Sequence, residues 1–431
     1  MIWSMISRCL SWCVHEYFRM LTALRPQLLI AVAGVAGLLL STDVAAQVAA
    51  VGSLTMQAAI TRAMAANPTI AAARLRGPIN LANLAVARER LNPEASVELE
   101  KETPKEAYGV AVPFELGGKR TRRIEVAEAT IRAGDAELAA TIAQVRNDVR
   151  RAYFGQMVAE QRLTILREQR DISIRTRDTA QARLDAGDVP RLEVMQAELA
   201  LAAVENEATA AEGTSAAARA ALNALLAQPL DTPTVLSTTI DEAAPPTTDA
   251  ALMLAQTAST ELISLDRQIE AQRARIQLAQ SLRVPDLTPT FTFTHRAEPE
   301  FTYGWRAGAA VTLPLFTSHR AGVLVEQTTL DQLTAQRQAT LLRIQGEVTA
   351  ASQRAQAQRE LFLRYRDQII PQAQQVEQLA QDAYQLGQTG IGPLLQALQA
   401  TRDVRLRSLD AIDQFQTALA DLERAIGAPL P

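Results

Sequence analysis

At 431 residues, the chain has room for two or three ordinary domains, but only 4% of it is aromatic, and alanine, leucine, glutamine and arginine dominate. That usage, with helical periodicity, favours long helices and coiled coils over compact globules. A formal net charge of −4 carries no basic excess and excludes a nucleic-acid footprint.

Residues 1–46 read as a signal peptide. Leu28 to Leu40 is an unbroken apolar run preceded by Arg19 and Arg25, with Val44 and Ala46 at the −3 and −1 positions of a cleavage site. The run is shorter than the ~20 residues of a spanning helix. Met20 is an alternative start. Both cysteines, Cys9 and Cys13, precede the run, so the exported chain would hold no thiol, no disulfide and no cysteine metal site.

The remainder repeats itself. RLDAGDVPRLEVMQA (183–197) matches AYQLGQTGIGPLLQA (383–397), with Gly187 on Gly387 and Gln196-Ala197 on Gln396-Ala397. VAVPFELGGKR (110–120) matches AVTLPLFTSHR (310–320), with Arg120 on Arg320, and RLNPE (90–94) resembles LRVPD (282–286), with Pro93 on Pro285. The smaller offset of the last pair requires a longer hairpin loop in the second copy. Matched glycines and prolines in a matched element order predict a first repeat over 47–228, a linker rich in Pro and Thr over 229–248, and a second repeat over 249–431. Each copy reads as short helix, medium helix, two strands, very long helix, tight turn, medium helix.

In the first copy, a medium helix is predicted over 69–91. Two weakly alternating strands follow, with Ala95, Val97 and Leu99 and then Tyr108, Val110, Val112 and Phe114 on one face. The second strand runs into VPFELGGKR. A phosphate-binding loop would need G-x-x-x-x-G-K-[ST], but Pro113 stands at the first glycine position and Arg120 at the hydroxyl position, so the motif fails twice. From Gly118 to Asp185 there is no proline, and Ile124, Ile131, Leu138, Ile142, Val145, Val149, Tyr153 and Met157 form one stripe. Such a helix is about 100 Å long. The second copy predicts a matching helix from Ser318 to Leu386, in which Pro371 should kink the helix or open a hydrogen bond. Both hairpins reverse at glycine, Gly187 and Gly387.

The second pair of strands is more marked. Leu287, Pro289, Phe291 and Phe293 alternate with threonines, and Phe301, Tyr303, Trp305, Ala307, Ala309, Val311 and Leu313 alternate with Thr302, Gly304, Arg306, Gly308, Ala310 and Thr312. Strands of about ten residues with one apolar face fit either a half-buried soluble sheet or a membrane β-barrel. Export, the long hairpin and the lack of a globular core to cover the sheet favour the barrel, whose known single-chain forms have about eight strands or more. Four strands would leave edges that lipid does not tolerate, so other copies must complete the ring, most simply by cyclic symmetry. Pro113 through Arg120 then marks the strand's exit from the membrane, with Lys119, Arg120, Arg122 and Arg123 at the lipid–water boundary.

These residues resemble the outer-membrane efflux channels typified by TolC. The resemblance rests on the duplicated architecture, the exits PFELGGKR and LPLFTSHR, and the tips RLDAGDVPRLEVMQAEL and AYQLGQTGIGPLLQAL. The ELGGKR form is similar to the heavy-metal branch, the partners of cobalt-zinc-cadmium type exporters. The resemblance implies a mostly α-helical chain that forms, as a homotrimer, a twelve-stranded β-barrel on a long α-helical barrel. It places the protein in the outer membrane of a Gram-negative bacterium, extending into the periplasm. Its partners would be outer-membrane lipid, a periplasmic adaptor and an inner-membrane proton-driven pump. Phe291, Phe293, Phe301, Tyr303 and Trp305 would face lipid, and Pro113, Gly117, Gly118, Lys119, Arg120 and Pro314 would form the strand-exit joints. A gate and adaptor contact are implied at the tips, at Asp185, Gly187, Asp188, Arg191, Glu193, Tyr384 and Gly387. The acidic ring of some members would fall near Pro393 and Gln396, neither of which is acidic, so Asp185, Asp188, Arg191 and Glu193 are its substitutes or else a solvated turn and cap.

No cofactor, catalytic constellation or metal-ligand spacing is expected, since His295 and His319 are the only histidines beyond residue 46. The competing readings are a drug-efflux or type I protein-secretion channel and, from another class, a periplasmic adaptor or a structural coiled coil.

Overall fold

A computed structural model describes residues 53–237, 240, 244–299 and 301–430. The expected signal peptide, Met20, Cys9 and Cys13 lie outside them, as does part of the expected linker. The first half runs α1 (Met56–Ala66), α2 (Pro68–Arg74), α3 (Arg76–Arg88), β1 (Glu94–Leu99), β2 (Glu106–Ala111), α4 (Lys119–Asp185) and α5 (Arg191–Leu225). The second runs α6 (Thr248–Ala258), α7 (Thr260–Ser281), β3 (Leu287–Ala297), β4 (Phe301–Val311), α8 (Arg320–Arg364), a π-turn (Tyr365–Ile369), α9 (Ile370–Gln385) and α10 (Ile391–Ile426).

Helix α4 is continuous for 67 residues, about 100 Å at 1.5 Å per residue. Its counterpart is interrupted. Pro371 has no N–H to donate and its ring crowds the carbonyl of Asp367, so the ladder loosens one turn earlier, where the Ile370 N–H bonds the Tyr365 carbonyl. The helix expected over 69–91 is also divided: α2 ends at Arg74, Leu75 caps it, and α3 begins at Arg76. Asn67 separates α1 from α2, its Oδ1 accepting from the Thr69 N–H at 2.9 Å while its Nδ2 donates to the Leu225 carbonyl at 2.9 Å. Ser259 makes the corresponding break between α6 and α7.

Both repeats contribute to one apolar core around the middle of α4. It gathers Val145, Val149, Tyr153 and Met157 from the α4 stripe with Leu222, Ile344, Phe415 and Leu419. Phe362 stacks on Phe415 at 5.9 Å, and Tyr153 meets Phe154 edge-on at 5.3 Å. The Tyr153 hydroxyl lies 2.8 Å from the Leu54 carbonyl and 2.9 Å from that of Ser237, which anchors the segments flanking the first repeat to the long helix. Arg150 is buried between α4 and α10, with Nη1 2.9 Å from Glu423 Oε1 and Nη2 3.2 Å from Gln416 Oε1. Among the described residues, no helix is long and apolar enough to cross a membrane.

The strands form one antiparallel sheet in the order β1-β2-β3-β4. Strands β1 and β2 have six residues each against eleven in β3 and β4, and β4 stops at Val311, short of the expected Leu313. Register aligns Val97, Tyr108, Phe293 and Trp305 in one cross-sheet row and Ala95, Val110, Phe291 and Ala307 in the next. The alternate rows are Ser96, Gly109, Thr292 and Arg306, then Glu98, Ala107, Thr294 and Gly304. Because side chains alternate along a strand, one face is aromatic and the other polar.

Candidate functional site: sheet, strand exits and helical tips

On the aromatic face, Phe291 stacks on Trp305 at 6.3 Å and Phe293 lies 5.8 Å from Tyr303. Trp305 is 72% exposed, Val97 65% and Tyr303 61%, because no second layer among the described residues covers them. Phe301 departs from its expected place: its ring reaches to where a Cβ of Gly304 would stand, 2.7 Å away, over the polar face beside Thr294. The missing side chain at Gly304 leaves that space open. At the outer end, His295 Nδ1 lies 3.1 Å and Arg296 Nη1 2.9 Å from the carboxylate of Glu106.

At the strand exit after β2, Gly117 and Gly118 both take positive φ, 70° and 72°. They turn the chain into α4 while Leu116 donates its N–H to Asp286 Oδ1 at 3.1 Å. Lys119 is buried and sets Nζ 2.8 Å from Asp286 Oδ2. Arg120 donates twice to the Arg88 carbonyl, at 2.9 and 2.6 Å, and Arg122 reaches Glu125 at 2.7 Å and Gln277 at 2.6 Å. Arg123 pairs with Glu115. The four cations expected at the lipid boundary therefore brace the joint through partners in their own chain. Asp286 and Glu115, which the sequence reading did not single out, are two of the five partners in that brace. The Pro285-Asp286 dipeptide, repeated as Pro93-Glu94, was its available signal.

The second exit lacks the glycine pair. Pro314 lies in an extended loop where Leu313, Leu315 and Phe316 are exposed, and His319 (φ 52°) takes the left-handed turn before α8.

At the opposite end, the two hairpins turn by the same device. Gly187 (φ 84°) donates to the Leu184 carbonyl at 2.9 Å and Asp188 to that of Arg183 at 2.8 Å. Gly387 (φ 68°) donates to the Tyr384 carbonyl at 3.1 Å and Gln388 to that of Ala383 at 2.9 Å. This is the Schellman closure, in which a left-handed glycine satisfies the last helical carbonyls. The four helix ends pack together through Ala180, Val194, Ala197, Tyr384, Ile391 and Leu394.

Among the tip residues expected from the sequence, Glu193 and Tyr384 come together, while Asp185, Asp188 and Arg191 are exposed around the turn. Asp185 accepts from Gln181 Nε2 at 2.8 Å. The residue that sequence reasoning missed is Arg183, whose guanidinium stands 5.1 Å over the Tyr384 ring. This contact crosses between repeats, so no local spacing announces it. One Nη of Arg183, one Oε of Glu193 and the Tyr384 hydroxyl are buried without a hydrogen-bond partner among the described residues. Burial and the Glu193 carboxylate raise the Tyr384 phenol, and Arg183 opposes them. Farther along α9, burial raises the Glu377 carboxyl against the pull of Arg405.

Among the described residues, no group of three or more His, Cys, Asp or Glu side chains is placed to hold a metal ion.

The sequence model of the outer membrane efflux proteins matches residues 59–228 and 252–428. The chain is 24% identical over 382 residues to the cobalt-zinc-cadmium resistance protein CzcC of Cupriavidus metallidurans, covering 88% of this chain and 91% of that protein. It is 27% identical over 354 residues to the nickel-cobalt-cadmium resistance protein NccC of Alcaligenes xylosoxydans xylosoxydans, covering 75% and 74%. Its fold is similar to that of the CmeC outer membrane channel of Campylobacter jejuni, with a TM-score of 0.73 at 16% identity over 86% of this chain and 85% of that one. The chain belongs to the outer membrane efflux protein family.

Proposed function

We propose that three copies of this outer-membrane protein close into the exit duct of a tripartite exporter of heavy-metal cations: a twelve-stranded barrel continued by an α-helical tunnel through the periplasm. The observation that carries the duct is the open sheet. Among the described residues, its aromatic face is uncovered and its edges, β1 and β4, are unpaired. Lipid tolerates neither an open edge nor an irregular one, and three four-stranded sheets joined head to tail remove every edge. The aromatic face would then meet lipid, and Ser96, Thr290, Thr292 and Arg306 would line the lumen.

The helices support the same closure. Helix α4 packs between α5 and α10, and α10 against α9, so α5 and α9 flank the tip. Each flank carries exposed apolar residues, Leu192, Met195 and Leu199 on α5 and Val376 and Leu379 on α9 with Leu386 at its C-terminal cap. Each copy supplies two repeats, over 47–228 and 249–431, about the linker at 229–248.

The cargo reading rests on the metal-resistance relatives, CzcC and NccC. A periplasmic adaptor and an inner-membrane proton-driven pump supply the energy in this scheme. Removing the gene should lower the tolerated cobalt, zinc or cadmium concentration several-fold in growth assays while lipophilic drugs act unchanged. Sensitisation to the drugs alone, or lost protein secretion, would reassign the cargo.

Arg183, Glu193 and Tyr384 latch the tip in this reading, with Asp185, Asp188, Arg191, Gly187 and Gly387 forming the rim that meets the adaptor. A partly buried cation–π contact contributes about 1 kcal/mol, roughly a fivefold bias between two states. Arg183→Ala should therefore raise the open probability of single channels about fivefold. An unchanged open probability would remove the latch.

A further inference from the structure

We propose that the seam between copies is closed by an ion pair from Arg320 of one copy to Glu94 of the next. The pair repeats, between molecules, the Lys119–Asp286 contact made within the chain. The inference rests on the trimeric reading above and specifies its interface.

Within the chain, β2 leaves the sheet where β3 begins, and Phe114 and Leu287 exchange backbone hydrogen bonds at 2.8 and 3.2 Å. There Asp286, directly before β3 and directly after Pro285, receives Lys119, the first residue of α4 after a left-handed glycine. The counterparts, taken by position at the helix start because the sequence match sets Arg320 on Arg120, are present but apart. Arg320 is the first residue of α8 after the left-handed His319, and Glu94 opens β1 directly after Pro93. The parts lie at the two free edges of the sheet, on its periplasmic side. Glu94 is opposite Ala111 where β2 ends, and Val311 is opposite Leu287 where β4 ends.

Lys119 is buried and paired, whereas Arg320 and Glu94 are both exposed, and neither side chain has an ion-pair or hydrogen-bond partner among the described residues. Closing the ring sets β4 against the next copy's β1 in the antiparallel sense in which β2 meets β3. The cation following one strand then faces the carboxylate preceding its neighbour at every seam. Opposite charges on opposite edges also favour head-to-tail joining over like edges meeting.

Zero-length coupling by a carbodiimide tests the contact, because it joins only an amine and a carboxylate already in touch. The chain is poor in lysine: Lys101, Lys105 and Lys119 are its lysines, and Lys119 should couple to Asp286 within one chain, with loss of water and no covalent dimer. The full protein carrying Arg320→Lys, purified in detergent, should yield covalent dimers and trimers on a denaturing gel beyond those of the parent. Adding Glu94→Gln should abolish them. As a second reading, Glu94→Arg should lower the temperature at which the oligomer survives dodecyl sulfate, and Arg320→Glu added to it should restore that temperature. A trimer of native mass that gives no new covalent bands, or bands that persist with Glu94→Gln, overturns the pair and leaves the trimer standing. A single-copy native mass for the parent overturns the trimer and the pair together.

Discussion

Gly117→Val is expected to abolish assembly, leaving the protein as single, protease-sensitive copies. The backbone at Gly117 has φ 70°, which costs an L-residue about 1–2 kcal/mol. A Cβ there would also lie 2.7 Å from both Cβ and Cγ2 of Val284, in the segment that leads into β3. Relieving that overlap costs about 1–3 kcal/mol more and displaces the segment whose Asp286 receives Lys119. The neighbouring Gly118 is the control. Its φ is 72°, yet nothing stands within 4 Å of the added carbon. Gly118→Ala should cost only the backbone part, about 1 kcal/mol, and still assemble. Native mass after extraction separates the two variants. Equal behaviour would show that packing against Val284 does not govern the joint.

Arg150→Ala is expected to destabilise the helical body by about 3–5 kcal/mol, the usual cost of stranding one partner of a buried ion pair. The Arg150 side chain is 3% exposed and Glu423 only 13%, so solvent does little to screen the carboxylate left behind. Glu423 Oε1 also accepts the Leu430 N–H at 3.1 Å, which ties the chain end to the same site. Replacing both partners, with Arg150→Met and Glu423→Leu, should recover most of the loss because no charge is then buried alone. Thermal unfolding of the three variants is the check. A loss in the double variant as large as in Arg150→Ala would assign the effect to packing.

Much of this architecture was legible because it depends on periodicity and punctuation. The α4 stripe, the tip glycines and the alternation through Phe291, Phe293, Tyr303 and Trp305 are local patterns, and each reappears in the fold. The failures are tertiary. Phe301 leaves the aromatic face because Gly304, three residues on, has no side chain to fill the polar-face space that the ring enters. The cluster Lys119, Arg120, Arg122 and Arg123 read in sequence as lipid-boundary cations, but besides the local Glu115 and Glu125 its acceptors Asp286, Arg88 O and Gln277 come from far along the chain. Arg183 over Tyr384 could not be read at all, since the two residues belong to different repeats. Pro371 announced a defect, and only the structure shows it as a π-turn at Tyr365–Ile369.

The central claim is that the open sheet of one chain is a third of a closed membrane pore. The most direct test is the native mass of protein extracted from outer membranes in detergent, followed by planar-bilayer recording on the same preparation. Three copies and discrete single-channel currents are expected. A soluble single copy or dimer without conductance would contradict it and leave a coiled-coil scaffold in its place.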